Sequence, residues 1–202
     1  MAAVSTPPPW RWSREDFVRL SEQGYFGPES RVELIDGEVL HKMGQGNAHI
    51  YSVRALAEAL RLTFGSGFSV SQQVALPLGE ASQPEPDISV VIGSPQRYDG
   101  VDPKPDDVAL VVEVSDSTLS FDRTRKLSVY ARAGLREYWI LNLIDRRLEI
   151  YRRPLPEHET YGDVTLAMED GFASPVQATG APVSVGEVLP KNRALDAGTP
   201  PL

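Results

Sequence analysis

Three acidic residues lie in stretches that are otherwise typical of buried strands. Asp87 follows Pro86 at the start of DISVVIG, Glu113 interrupts DVALVVEVS, and Glu33 lies in RVELIDGEVL. A carboxylate in an apolar strand costs free energy unless it is paired with a base or bound to a cation. Two such acids on neighbouring strands would also repel each other, and one divalent cation would offset both costs. Mg²⁺ or Mn²⁺ is the expected ion, since both prefer hard oxygen ligands.

Each of these acids also has a simpler explanation. Asp87 could cap a turn after its proline, Glu113 could pair with an arginine, and Glu33 could lie on the solvent face of a hairpin. The hypothesis of a cation site therefore depends on the three acids together.

Lys126 is the basic residue best suited to such a site. It follows Asp122 by four residues on a predicted helix, so a surface ion pair is one interpretation. In the other interpretation its ammonium lies over the cation pocket, where it holds an attacking water or stabilises charge on a phosphate oxygen. His49 at a helix start, Gln73 on the strand before Asp87, and Asp122 itself are further candidates.

Composition limits the class of protein further. The 202 residues carry a net charge of −8 and no cysteine, which excludes disulfides and argues against strong nonspecific binding of nucleic acid. Neither an apolar run of membrane-spanning length nor a secretory signal is present, so we expect a cytoplasmic protein with no membrane segment. P-loop, G-x-S-x-G and H-E-x-x-H motifs are absent from the sequence.

Basic residues are concentrated between residues 121 and 153. This span holds nine basic and four acidic residues, a local charge of +5 that leaves −13 for the rest of the chain. Arg123, Arg125 and Arg132 could contact the phosphates that flank a reacting bond. A solvated helix and hairpin surface would carry a similar run of charge.

Turn and capping residues divide the chain into helices and strands. A first helix precedes a hairpin about Asp36 and Gly37, and Asn47 is the expected cap of a second helix. Two strands lead to DVALVVEVS, which is apolar enough to be central in a sheet. A helix capped by Ser120 and a hairpin about residues 144–146 follow.

This order of elements predicts an α/β (α+β) fold, with a mixed β-sheet flanked by helices and an N-terminal helix and β-hairpin. We expect a single domain over residues 12–190. A disordered arm is expected at residues 1–11 and a flexible tail at residues 191–202.

Four segments resemble the Uma-type restriction endonuclease family of bacteria, within the PD-(D/E)XK nuclease superfamily. They are RVELIDGEVL, PEPDISVV, LVVEVSDST and DRTRKLSVYARAGLREYWILN, in the family's order. The resemblance implies a restriction-endonuclease-like sheet in which Asp87 and Glu113 bind a metal, with the backbone carbonyl of Val114 as a further ligand. It also implies that Glu33 contacts water bound to the metal.

The superfamily lysine normally follows the second acid by two residues, but Ser115 occupies that position here. In this family a lysine of the following helix takes its place, and Lys126 matches it. The loop also departs from the family, since it reads EVSDSTLS where many relatives read EVLSPST. Asp116 in this loop is expected to cap the turn.

The implied activity is Mg²⁺- or Mn²⁺-dependent hydrolysis of phosphodiester bonds, with DNA as the expected substrate. Two alternatives remain open from the sequence. One is a non-catalytic homodimeric interaction module on a nuclease-like fold, and the other is a metal-dependent phosphoesterase with a smaller substrate. The resemblance also implies a homodimer, for which EYWILNLIDRRLEIYRRP is a candidate edge.

Overall fold

The computed structural model describes residues 7–27 and 30–191. Most of the predicted arm (residues 1–6) and tail (residues 192–202) therefore lies outside the described residues. Within the described part of the arm, Arg11 donates a hydrogen bond to the backbone oxygen of Asp36. No helix in the described ranges has the length and apolarity needed to cross a membrane.

A six-stranded mixed sheet forms the centre of the fold, in the order β3-β4-β5-β6-β7-β8. Strands β5 and β6 are parallel and the other neighbours are antiparallel. The six strands are β3 (Phe68–Gln72), β4 (Ile88–Ile92), β5 (Val108–Ser115), β6 (Glu137–Asn142), β7 (Arg147–Leu155) and β8 (Thr160–Met168). The predicted mixed sheet with DVALVVEVS inside it is confirmed, since every residue of β5 is buried.

Two short antiparallel pairs lie outside the main sheet. The strands β1 (Val32–Ile35) and β2 (Glu38–His41) form the predicted hairpin, and β9 (Phe172–Ala173) pairs with β10 (Val183–Ser184). Asp36 and Gly37 both have positive φ, at 51° and 74°. This is the conformation of a type I′ turn, and it explains why the chain uses Asp-Gly there.

Helices cover both faces of the sheet. They are α1 (Arg14–Glu22), α2 (Asn47–Phe64), α3, and α4 (Val185–Val188). Helix α3 contains two α-helical segments, Leu119–Phe121 and Leu127–Arg132, joined by the π-helical turn Asp122–Lys126. It is the crossover that two parallel strands require.

The two faces of the sheet have separate cores. Leu56 and Leu60 of α2 pack against Val112 and Trp139 on one face. On the other face, Tyr130 of α3 packs in a second cluster that includes Tyr138 and Ile140. Because residues alternate between faces along a strand, β5 directs Glu113 to the face covered by α3.

Three details of the sequence interpretation were wrong. Gly46, and not Asn47, is the cap of α2, since its backbone is extended and Asn47 is already helical. Ser120 is not a cap but lies inside α3, which begins at Leu119. The hydroxyl groups that bind Asp122 at this end of the helix belong to Ser115 and Thr118. The segment proposed as a dimer edge forms β6 and β7, which are both paired on two sides within the sheet.

Candidate active site

Lys126 is buried between two acids. Its Nζ lies 2.9 Å from Oε1 of Glu113 and 3.2 Å from Oε2 of Glu33, and its side chain is only 5% exposed. Asp122, the alternative partner, instead accepts hydrogen bonds from Ser115 Oγ and Thr118 Oγ1, both at 2.6 Å. The ammonium therefore points towards the sheet and not along the helix surface.

The π-helical turn of α3 contributes to this position of the lysine. Residues Asp122–Lys126 form that turn, and Lys126 is its last residue. A π turn adds one residue to a helical turn, so it rotates the side chains at its end relative to a regular α-helix. Such turns occur frequently at functional sites.

The register of β4 and β5 places the two predicted metal ligands opposite each other. Ile88 pairs with Val112. One residue further, the same antiparallel register brings Asp87 across from Glu113. Residues opposite each other in an antiparallel pair point to the same face of the sheet. The structure thus brings together the two acids that the sequence analysis assigned to one site.

Asp87 is held by groups from three parts of the chain. Its Oδ2 accepts hydrogen bonds from the Val114 amide at 2.9 Å and His49 Nε2 at 3.1 Å, and Gln45 Nε2 lies 3.4 Å from Oδ1. Burial opposes ionisation of Asp87, but His49 and the Val114 amide outweigh it and lower the pKa of this carboxyl. Burial alone would lower the pKa of His49, but the hydrogen bond and charge of Asp87 outweigh burial and raise this pKa.

Glu113 carries the most perturbed carboxyl of the site. Burial raises its pKa to about 8, while Lys126 opposes that rise and the neighbouring acids add to it. Tyr130 donates a hydrogen bond of 2.6 Å to the same Oε1 that Lys126 contacts. Both contacts fall on this one oxygen of Glu113.

Glu33 completes the cluster from the hairpin. Its side chain is 6% exposed, so it does not lie on a solvent-facing strand. Its Oε2 accepts a hydrogen bond from the Glu85 amide at 3.1 Å as well as contacting Lys126. The hairpin, β5 and α3 thus each supply one member of the Glu33–Lys126–Glu113 cluster.

The donor set fits a hard divalent cation. Among the described residues there is no cluster of three or more His, Cys, Asp or Glu side chains arranged to hold a metal ion. Mg²⁺, however, is commonly held by one or two carboxylates, with water and substrate oxygens as its other ligands. Asp87 and Glu113 supply two carboxylates, and Val114 lines the same cleft. A cation would also favour the ionised form of Glu113, whose burial favours the neutral form.

These residues form the floor of a cleft of about 330 Å³. One wall is formed by the end of β2 and the segment that follows it, residues 40–45, and the other by residues 116–121 at the start of α3. Leu40, Met43 and Phe121 make parts of these walls apolar. Asp116 also lines the cleft and accepts hydrogen bonds from the neighbouring Ser117, so its role as a turn cap stays a prediction.

Comparison with known proteins identifies the family and the fold of the chain. The family model Uma2, described as "Putative restriction endonuclease", matches residues 14–193. The chain belongs to the Uma2 family. A crystal structure described as "a putative nuclease belonging to DUF820 from Anabaena variabilis" is similar, with a TM-score of 0.66 and 16% identity. The match covers 89% of this chain and 97% of that one, and it shows a shared nuclease-like fold. No curated protein matches the sequence.

The three arginines expected to contact phosphates lie outside the cleft of this Uma2 family member. Arg123 donates to Glu149 with Nε at 2.9 Å. The side chains of the other two pair with acids of the hairpin, Arg125 with Glu38 and Arg132 with Asp36. Arg132 also binds Glu159, directly before β8. These carboxylates offset much of the arginines' charge. A role in nucleic-acid binding stays a prediction.

The secondary candidates His49 and Gln73 differ in how they contact Asp87. His49 contacts Asp87 directly and is 8% exposed, whereas Gln73 has positive φ and meets Asp87 only through its backbone amide, at 3.2 Å. Tyr130 and Gln45 were not predicted. Tyr130 follows Lys126 by four residues, so helical spacing could have placed it beside Glu113.

Proposed function

We propose that the protein is a Mg²⁺- or Mn²⁺-dependent endonuclease that hydrolyses phosphodiester bonds, with DNA as its substrate. The observation that carries the proposal is the convergence of Lys126 with Glu113 on the floor of one cleft, with Asp87 opposite Glu113 in the strand register. Two acids and a lysine that meet in a cleft are suited to chemistry at phosphorus. Membership of the Uma2 family supports the same reaction class.

Asp87 and Glu113, with the carbonyl of Val114, are the residues that would hold the cation. When bound, a divalent cation supplies charge stabilisation at the phosphoryl group and a more acidic water. The contacts already present would limit how the carboxylates move, since His49 and the Val114 amide hold Asp87 and Tyr130 holds Glu113.

Lys126 acts as a fixed positive charge in this proposal. Burial would lower its pKa, but Glu113 and Glu33 outweigh burial and raise it. The amine therefore keeps its proton near neutral pH and does not serve as the general base. It stabilises the negative charge that develops on a phosphate oxygen, and Glu33 orients the lysine and the neighbouring water.

Mn²⁺ titration separates this proposal from the non-catalytic module. We expect wild-type protein to bind Mn²⁺ in a calorimeter and Asp87→Ala to lose that binding. Asp163→Ala on β8 is a matched control, since Asp163 is an exposed acid of the same type outside the cleft. Undetectable binding to wild type, or equal binding to Asp87→Ala, would favour the interaction module. Cleavage of DNA with Mn²⁺ then separates a nuclease from a phosphoesterase of smaller substrates.

We also propose that a homodimer forms through β8. This strand is the last in the order of the main sheet, and Val164, Leu166 and Met168 on it are at least half exposed. An exposed apolar strand edge readily pairs with another chain. Leu166→Lys should convert a dimer to a monomer in sedimentation equilibrium, while Leu62→Lys on the exposed side of α2 should not. A wild-type monomer would contradict the proposal.

A further inference from the structure

The cleft combines an acidic floor with apolar walls. Its lining contains five acids and two lysines, a formal charge of 2 − 5 = −3: Glu33, Asp87, Glu113, Asp116, Asp122, Lys42 and Lys126. Both lysines are already engaged, Lys126 with Glu33 and Glu113 and Lys42 with Glu85. With the lining's two histidines counted as neutral, one divalent cation brings this formal charge to −1. Electrostatic attraction of a phosphate group is therefore not enough to bind a substrate in this cleft.

The apolar walls supply a different source of binding energy. Leu40 and Phe121 are partly exposed, and Met43 is 61% exposed at the cleft. The face of a nucleobase is apolar, and its stacking on an aromatic side chain is tolerant of sequence. In a duplex these faces are covered by neighbouring base pairs. Only an unpaired nucleotide can present its base to Phe121 while its phosphate reaches the acids.

The surroundings of the cleft also favour an unpaired strand. Duplex DNA has twice the charge of one strand per unit length, and proteins bind it through rows of free lysine and arginine. Arg123, Arg125 and Arg132 on α3 are instead paired with carboxylates. The volume of about 330 Å³ is at the lower end of the range of about 300–1,000 Å³ for sites that enclose small molecules.

We propose that the active site accepts an unpaired nucleotide, so that the substrate is single-stranded DNA with one base against Phe121 and Met43. This inference rests on the proposed nuclease function and adds the class of substrate. Phe121 is a binding residue in this proposal, since it lines the cleft and its side chain has no group that could act on a phosphate.

The test compares one DNA sequence as a single strand and as a blunt duplex, with Mn²⁺. We expect the single strand to be cut at least tenfold faster. Phe121→Leu keeps an apolar side chain and removes the aromatic face, and we expect it to weaken binding of labelled oligothymidylate about tenfold. Binding is followed by fluorescence anisotropy with Ca²⁺ in place of Mn²⁺. Phe172→Leu is the matched control, since Phe172 is 65% exposed on β9 and outside the cleft.

An abasic oligomer of the same length isolates the contribution of the base. Wild type and Phe121→Leu should bind it equally, and both more weakly than wild type binds oligothymidylate. Equal or faster cleavage of the duplex would overturn the substrate inference and leave the nuclease proposal intact. Unchanged binding of oligothymidylate by Phe121→Leu would overturn it too. If neither DNA is cut although Mn²⁺ binds, the proposed function itself fails.

Discussion

The ammonium of Lys126 lies 2.9 Å from Oε1 of Glu113, although the two residues belong to different elements and are thirteen positions apart. The β5 strand ends between them, and the chain then enters α3 through Ser115, whose hydroxyl binds Asp122. A lysine two residues after Glu113 would occupy the Ser115 position. Helix α3 therefore supplies, from the face of the sheet that it covers, the positive charge that β5 lacks.

Replacement of this lysine tests whether its charge takes part in catalysis. We expect Lys126→Met to lower the rate of Mn²⁺-dependent DNA cleavage by about 10²–10³, the usual cost of removing one group that stabilises transition-state charge. Lys104→Met is the control, since Lys104 is exposed and outside the cleft. Circular dichroism and thermal melting check that both variants fold. A Lys126→Met protein that folds and cuts at the wild-type rate would remove this residue from the mechanism.

Two buried tyrosines allow a matched test of orientation at Glu113. Tyr130 donates a hydrogen bond of 2.6 Å to Glu113, whereas the buried hydroxyl of Tyr161 finds no partner within the described part of the chain. Tyr130→Phe should weaken Mn²⁺ binding and cleavage by about tenfold, consistent with about 1–1.5 kcal/mol for one hydrogen bond. Tyr161→Phe should leave both unchanged and should not destabilise the fold. Equal effects of the two changes would show that Tyr130 has only a packing role.

The turn of the β1–β2 hairpin can be tested with two glycines that share positive φ. Gly37 has φ of 74°, and a Cβ there would lie 2.8 Å from Arg11 Cβ, whereas Gly79 has φ of 70° and open space around it. Gly79→Ala should cost about 1–2 kcal/mol from the backbone alone. Gly37→Ala should cost roughly 1–3 kcal/mol more because of overpacking. Urea unfolding measures both, and equal losses would contradict the close contact.

Stability at low pH should depend on Glu149. Burial opposes its ionisation, but hydrogen bonds from Arg123, Asn142 and Tyr151 outweigh burial and lower its pKa to about 2. A lowered pKa means that the folded state favours the ionised form. The stabilisation is therefore complete above pH 4.5 and is lost as the pH falls towards 2. The shift corresponds to a few kcal/mol, on the order of 3.

Urea unfolding at several pH values checks this. Glu149→Gln should be less stable than wild type at pH 7, and its stability should fall less between pH 5 and pH 3. Glu15→Gln, at an exposed position of α1, should follow the wild-type curve. If wild type and Glu149→Gln lose stability in parallel below pH 5, the assignment of Glu149 is wrong.

Local patterns were enough to predict much of the fold and the acids of the site. The Asp36-Gly37 turn and the apolar β5 strand follow from short-range chemistry, and both are confirmed. The residues alone suggested a cation pocket with Lys126 over it, and the family resemblance implied that Glu33 contacts metal-bound water; the direct contact of Lys126 with Glu33 was not predicted. The π turn has no simple sequence signal, so the direction of Lys126 required the structure.

The pairing of the arginines could not be read from the sequence. Arg125 binds Glu38 across 87 positions and Arg132 binds Asp36 across 96, so a count of charges within residues 121–153 could not include those partners. The same limit applies to Gln45 and His49, which reach Asp87 from 42 and 38 positions away. Each of these contacts depends on how helices and hairpin pack on the sheet.

Side chains of helix α3 also bind the β1–β2 hairpin. Lys126 contacts Glu33, Arg125 contacts Glu38 and the backbone of Ile35, and Arg132 contacts Asp36. The hairpin is not a member of the main sheet, and its other attachments include backbone hydrogen bonds from Leu34 to Gln83 and from Gly37 to Ala81. A transient release of α3 would separate Lys126 from both Glu33 and Glu113 while the hairpin and the six strands stay paired. Amide protons of α3 should therefore exchange with solvent ahead of those of β5 and of the hairpin.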